Sequence, residues 1–179
     1  MIRNLGTTIT EQQDIQCKLF AEKSAPTSFH EYEKRSQKDK KKIIIDIYNG
    51  KKAEFLVYNF LISNKQKLNP PDLKIYPKYD KSYGADLYLY KNNVNIHVKS
   101  HEVNENFPVS WLFQKNDPLL LKGKANDYLA LVVMNGDINY MHFKCISEVV
   151  FKKPIKEKLK KTKACVYESD FLKNFNGVV

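Results

Sequence analysis

Pro70 and Pro71 divide the chain by hydrophobic period, and that division limits the fold more than any other feature of the sequence. Before the pair, apolar residues recur at helical spacing; after it, they alternate or run together as in strands. Two successive prolines cannot continue a helix, so the change of period is also a change of element. In "IIIDIYNGKKAEFLVYNFLISNKQ", Ala53, Leu56, Val57, Phe60 and Leu61 fall at the i, i+3, i+4, i+7, i+8 positions of a helix laid on a core. Gly50 is expected to split this stretch into a short helix and a longer one. Upstream, Thr8-x-x-Glu11 offers a capping box for a helix carrying Ile9, Ile15, Leu19 and Phe20. Pro26 then ends that helix, and Ser28-x-x-Glu31 opens a second one that runs into "KRSQKDKKK".

Beyond the prolines, "LKIYPKY" reads as a strand broken by Pro77. "GADLYLYKNNVNIHVKSHEV" reads as two strands joined at Asn92-Asn93, a turn chemistry that suits a hairpin. "NENFPVSWLFQKNDPLLLKGKAN" is loop and helix. "DYLALVVMNGDINYMHFKCI" is a second hairpin turning at Asn135-Gly136, and its continuous apolar first strand calls for cover on both faces. The tail carries seven lysines from Lys152 to Lys163 and a helix signal at Ser169-Asp170. This order gives an α/β fold, a small central mixed sheet flanked by helices with extra helices at the N-terminus. The 179 residues suit one domain: a helical extension over 1–49, a core over 50–150 and a basic helical segment over 151–179.

Charge narrows the partner. Thirty Lys and Arg against twenty Asp and Glu give a net charge of +10, which favours nucleic acid or another polyanion. No apolar run approaches the roughly 18 residues of a membrane span. The start, "MIRNLGTTITEQQ", lacks the apolar core of a secretory signal, so a cytoplasmic location is expected. Cys17, Cys145 and Cys165 form no CxxC pair and support neither a disulfide framework nor a zinc site; Cys145 reads as a small core residue.

The first hairpin holds the unusual residues. On a strand, i and i+2 share a face, so His97 and Lys99 point together while Ile96 and Val98 point the other way. A turn at Asn92-Asn93 would set Asp86 opposite Lys99, bringing Asp86, His97 and Lys99 to one side of the hairpin. A slip in register would change the pairing without changing the face. A carboxylate, an imidazole and an ammonium on one sheet face are the parts of a metal-assisted hydrolytic site. The carboxylate suits a hard cation such as Mg²⁺, and the ammonium suits the charge that grows on a phosphoryl group. Glu54, on the preceding helix, could join the metal or its water ligands. Each residue also has a plainer role: Asp86 as a turn residue at a strand start, Lys99 as part of a solvated strand face.

"GKKAEFLVYNFL", "GADLYLY" and, ten residues after Asp86, "HVKS" together resemble the PD-(D/E)XK nuclease superfamily. The resemblance spans roughly residues 50–145. It implies a restriction-endonuclease-like core, with Glu54 as the helix glutamate, Asp86 as the strand aspartate and Lys99 as the lysine. Ala85 stands where proline is usual, and His97 stands where an acid is expected. Three readings of that change stay open: a site that uses histidine, a shifted acid at Glu102, or a site without activity. Imidazole suits Mn²⁺ or other transition metals better than Mg²⁺. Gln114 falls where many members carry a polar residue on the second core helix, and Trp111 reads as core rather than a base-stacking platform.

The implied function is a metal-dependent DNA endonuclease of restriction or junction-resolvase type. Mg²⁺ or Mn²⁺ would be its cofactor, with Asp86, His97 and Glu54 as metal ligands. Asp86, His97, Glu54, Lys99 and Gln114 would line the site. Lys78, Lys81, His101, Lys152, Lys153, Lys160 and Lys161 are the expected contacts to double-stranded DNA. Two opposed cuts would need two active sites, which suits a homodimer. The alternative is a non-catalytic DNA-binding protein on the same fold. His30 and His142 carry no partner pattern and read as structural.

Overall fold

The computed structural model describes residues 2–6, 9–34, 37–77, 84–121, 127–136 and 138–172. Two long helices, α1 (Glu11–Lys34) and α2 (Lys40–Ser63), follow a short strand β1 (Ile2–Gly6). The remaining elements are β2 (Leu87–Leu89), β3 (Val94–Glu102), β4 (Ser110–Gln114), a one-turn helix α3 (Pro118–Leu121), β5 (Tyr128–Asn135), β6 (Ile138–Cys145), β7 (Lys163–Tyr167) and a one-turn helix α4 (Ser169–Leu172).

Both long helices run through residues expected to break them. Pro26 lies inside α1, where its ring removes one i to i−4 hydrogen bond. The buried face of α1 is a stripe of small residues, Cys17, Ala21, Ser24, Ala25 and Ser28, that lets it pack closely along α2. That packing holds the two halves in line. Ser28 therefore lies within α1 and not at the start of a second helix, and its hydroxyl donates to the Ser24 carbonyl at 2.9 Å. The capping box of α1 is built by Thr10 and Gln13, each side chain accepting the other's backbone N–H at 3.2 and 3.0 Å. Thr8, the expected cap, lies outside the described residues. Gly50 is likewise absorbed within α2, whose buried Ala53, Leu56, Val57 and Leu61 anchor it to the sheet.

The main sheet has the order β1-β6-β5-β3-β2. It is mixed, with β3 and β5 parallel and the other pairs antiparallel. The second hairpin forms as expected, but its turn comes one residue later: β5 pairs with β6 from Tyr128↔Cys145 to Asn135↔Ile138, so Asn135 closes the strand, and Gly136 takes the left-handed φ of 57° after it. In the first hairpin the connection is longer than Asn92-Asn93. A 3₁₀ turn over Tyr90–Asn92 leads to Asn93 at φ 53°, and Leu87 pairs with Ile96. The register thus moves by two residues, which keeps the face but sets Asp86 opposite His97 instead of Lys99. "LKIYPKY" forms no strand over its described residues 73–77; the outer edge of β2 is met instead by a single bridge from Leu68 to Leu89.

Helix α2 covers one face of the sheet over a core that includes Leu56, Val57, Leu87, Ile96, Val98, Ala130 and Val132. On the opposite face the expected helical cover is reduced, among the described residues, to the one-turn helices α3 and α4, which bring Leu119, Leu120 and Phe171 to the core. The crossover from β3 to β5 contains β4 instead, which pairs with β7 in a separate two-stranded sheet. Trp111, Phe113, Leu129, Leu131, Val133 and Val166 fill this second core. The Trp111 indole donates to the Val132 carbonyl at 3.1 Å, so Trp111 is a core residue as read from the sequence. Strand β5 is thus covered on both faces, and Leu129 through Val133 are wholly buried. The basic segment is not helical: over 152–162 it is irregular with one 3₁₀ turn at Glu157–Leu159, then β7 begins. A strand wins there because Ala164, Cys165 and Val166 are buried against β4.

Candidate active site

Glu54 sits one position past Ala53 on the sheet-facing side of α2, which draws its carboxyl under cover at 8% exposure. Lys51, three residues earlier, lies on the same side and is equally buried. Its ammonium is 2.6 Å from Glu54 Oε2 and 2.9 Å from the Asp72 carbonyl, and stands 4.7 Å from the centre of the Phe20 ring of α1. Burial pushes the Glu54 carboxyl up to about 8; Lys51 works against this, and the charges of Asp86 and Asp72 add to it. Desolvation therefore outweighs even an ammonium in hydrogen-bond contact.

Asp86 immediately precedes β2. Its Oδ2 accepts the Val98 N–H of β3 at 2.7 Å, so the carboxylate is tied to the hairpin edge. Glu54 and Asp86 are thereby brought into electrostatic range of each other from α2 and the hairpin.

His97 and Lys99 share the face of β3 that lies away from α2. Lys99 Nζ stands 5.6 Å from the centre of the Phe113 ring, and the lysine makes no ion pair among the described residues. His97 Nε2 lies 3.4 Å from Asp127 Oδ2, and the other oxygen of Asp127 accepts from Asn95 Nδ2 at 3.1 Å. The expected ligand trio of Asp86, His97 and Glu54 is not assembled. No three His, Cys, Asp or Glu side chains among the described residues stand close enough to hold a metal ion. The physical reason is that His97 projects from the face of β3 away from α2, where Asp127 lies 3.4 Å from its ring, whereas Glu54 is held on α2. Glu54 and Asp86 remain a two-carboxylate set, the donor set that Mg²⁺ uses when water and substrate phosphate supply its other ligands.

The remaining expected residues are spread out. Gln114 ends β4 rather than lying on a helix, and its Nε2 is buried without a hydrogen-bond partner among the described residues. His101 is not a rim group: Nδ1 lies 2.8 Å from the Ser110 carbonyl, the ring packs edge-on to Trp111, and burial lowers its pKa. It is therefore a poor phosphate contact at neutral pH. Glu102, the shifted-acid candidate, is exposed and accepts from Asn49 at 3.1 Å. Lys152 and Lys160 are held by Asp170 and Glu157, each at 2.5 Å. Lys153 and Lys161 are exposed and make no ion pair among the described residues. Lys78 and Lys81 lie outside the described residues. His142, read as structural, is buried in the second core with Nε2 2.7 Å from Glu168 and its ring stacked on Phe171.

Lys51, Asp72, Asn95 and Asp127 were missed. Lys51-x-x-Glu54 was visible as an i, i+3 pair. Asp127 gave no local signal, because it reaches His97 only through the parallel pairing of β3 with β5, 30 residues later. Neither a family model, a curated protein nor a solved structure matches the chain. Among the described residues no helix is long and apolar enough to cross a membrane.

Proposed function

We propose that the chain is a metal-dependent DNA endonuclease with a restriction-endonuclease-like core. The observation that carries this reading is the placement of Glu54 on α2 within electrostatic range of Asp86 at the start of the hairpin, with the Glu54 carboxyl pushed up to about 8 by burial first and by the Asp86 charge in addition. A buried carboxyl whose pKa is raised this far, beside a second carboxylate, marks a candidate working site, and a cation bound there would displace the Glu54 proton. A hard divalent cation bound there would polarise the phosphoryl group and activate water.

The chain's own residues do the rest. The Val98 amide fixes Asp86. Lys51 partly compensates Glu54, which limits the cost of its burial. Lys99, on an aromatic ring and without an acidic partner among the described residues, can turn its ammonium to a scissile phosphate and stabilise the growing charge. Lys153 and Lys161 would contact the DNA backbone. A homodimer would supply two such sites for opposed cuts.

One observation favours a second reading. The Lys51 ammonium already stands against Glu54, as it would in a non-catalytic DNA-binding protein whose centre needs no metal. Supercoiled plasmid separates the two. Wild-type protein with Mg²⁺ or Mn²⁺ is expected to nick or linearise it, and Lys99→Ala to reduce cutting at least about 100-fold, the scale of one lost electrostatic stabiliser. A gel shift without cutting in either metal would support the binding protein instead.

A further inference from the structure

We propose that Asp127 is a positioning residue for His97: with Asn95, it holds the imidazole in the tautomer protonated at Nε2 and leaves Nδ1 as the working nitrogen. The rate consequence rests on the nuclease reading above; the tautomer does not.

Three features of the fold build this clamp. Asp127 immediately precedes β5, and the parallel register Ile96↔Tyr128 sets it level with Asn95 on β3. Asn95 and His97 are two apart on one strand and so share a face. The Asp127 carboxylate is divided between them, Oδ1 to Asn95 Nδ2 at 3.1 Å and Oδ2 to His97 Nε2 at 3.4 Å. The Asp127 backbone is pinned as well, its carbonyl accepting the Ile146 N–H at 2.9 Å. Asp127 and His97 are 6% and 9% exposed, so water competes little for these bonds.

The tautomer follows from donor and acceptor chemistry. An ionised carboxylate only accepts, so a ring nitrogen facing it must carry the proton. A neutral imidazole has one N–H, which leaves the lone pair on Nδ1. No lysine or arginine pairs with Asp127 among the described residues, so the Asn95 and His97 N–H groups are its side-chain donors. A contact of 3.4 Å can tighten when substrate orders the site. Carrying the β2–β3 register one pair beyond Leu87↔Ile96 sets His97 opposite Asp86. His97 thus neighbours Asp86 across the hairpin, from the face of β3 that lies away from α2, and its ring is held by a carboxylate that belongs to neither the hairpin nor α2. Such outer partners fix ring orientation and commonly change activity by about 10–100-fold when replaced.

The test uses full-length protein labelled with ¹⁵N-histidine, with His97→Gln assigning the signal. Wild type is expected to show the His97 ring protonated at Nε2. Asn95→Ala, which keeps the carboxylate but loosens the clamp, is expected to mix the tautomers. Asp127→Asn, whose amide can donate, is expected to shift the ring toward Nδ1–H. In cleavage, Asp127→Asn is expected to lower kcat about 10–100-fold with KM nearly unchanged, and to cost nothing further in a His97→Gln background. A wild-type His97 protonated at Nδ1, or a signal unmoved by both variants, would overturn the proposal. So would an equal loss of kcat in both backgrounds, which marks a merely structural aspartate. If wild-type protein cuts no DNA, the nuclease reading fails while the spectra still decide this one.

Discussion

Glu54 keeps a proton that an exposed glutamate would give up. Its ordinary value is 4.5, and burial raises it to about 8 in the fold. Between those values the native state holds a proton that the unfolded chain has lost, so stability falls as pH rises through this window and the loss is complete above about 8. Urea midpoints at pH about 5 and about 9 should therefore show wild type losing stability, with a smaller loss in Glu54→Gln, which cannot ionise. An identical pH dependence in the two proteins would place the effect elsewhere. At this scale the sequence was partly legible. Strand alternation correctly put His97 and Lys99 on one face, because the period of two survives any even shift of register. The partner of His97 was hidden, since nothing near "NDYLAL" says which strand Asp127 will lie beside.

The elements were legible where burial and local preference agree. The second hairpin formed, with its turn one residue later than read, because the left-handed position falls on Gly136 between two strands rich in apolar residues. Gly50 and Pro26 misled because punctuation residues report only local preference, while packing along α1, α2 and the sheet decides the outcome. Gly50 still weakens α2. An added Cβ would meet nothing within 4 Å, so Gly50→Ala should stabilise the protein by about 1 kcal/mol and raise its thermal midpoint by about 2–4 °C. A lower midpoint in thermal melts would mean that α2 needs flexibility at that position. The crossover was the hardest element to read. "SWLFQ" alternates over five residues, too few to show without its partner that it pairs with "KACVY" 50 residues further on.

At the scale of the whole molecule, the +10 charge points to a polyanion, but its lysines are not equivalent. Lys152 and Lys160 are already engaged by Asp170 and Glu157, whereas Lys153 and Lys161 are open to solvent. Replacing Lys153 and Lys161 by alanine should therefore weaken binding to duplex DNA more than replacing Lys152 and Lys160. It should also lower the slope of log K against log salt by about 0.9 for each phosphate contact removed. Equal effects of the two pairs in filter binding across a salt series would show that the ion pairs open freely when DNA binds. The central claim is that the Glu54 and Asp86 carboxyls are the working centre of a nuclease. Its most direct test is plasmid cleavage by Asp86→Ala beside wild type, in Mg²⁺ and in Mn²⁺, with DNA affinity measured on the same samples. Metal-dependent cutting by wild type that falls at least about 100-fold in Asp86→Ala while affinity holds is the predicted result. Equal cutting by both proteins, or DNA binding with no cutting by either, would contradict it.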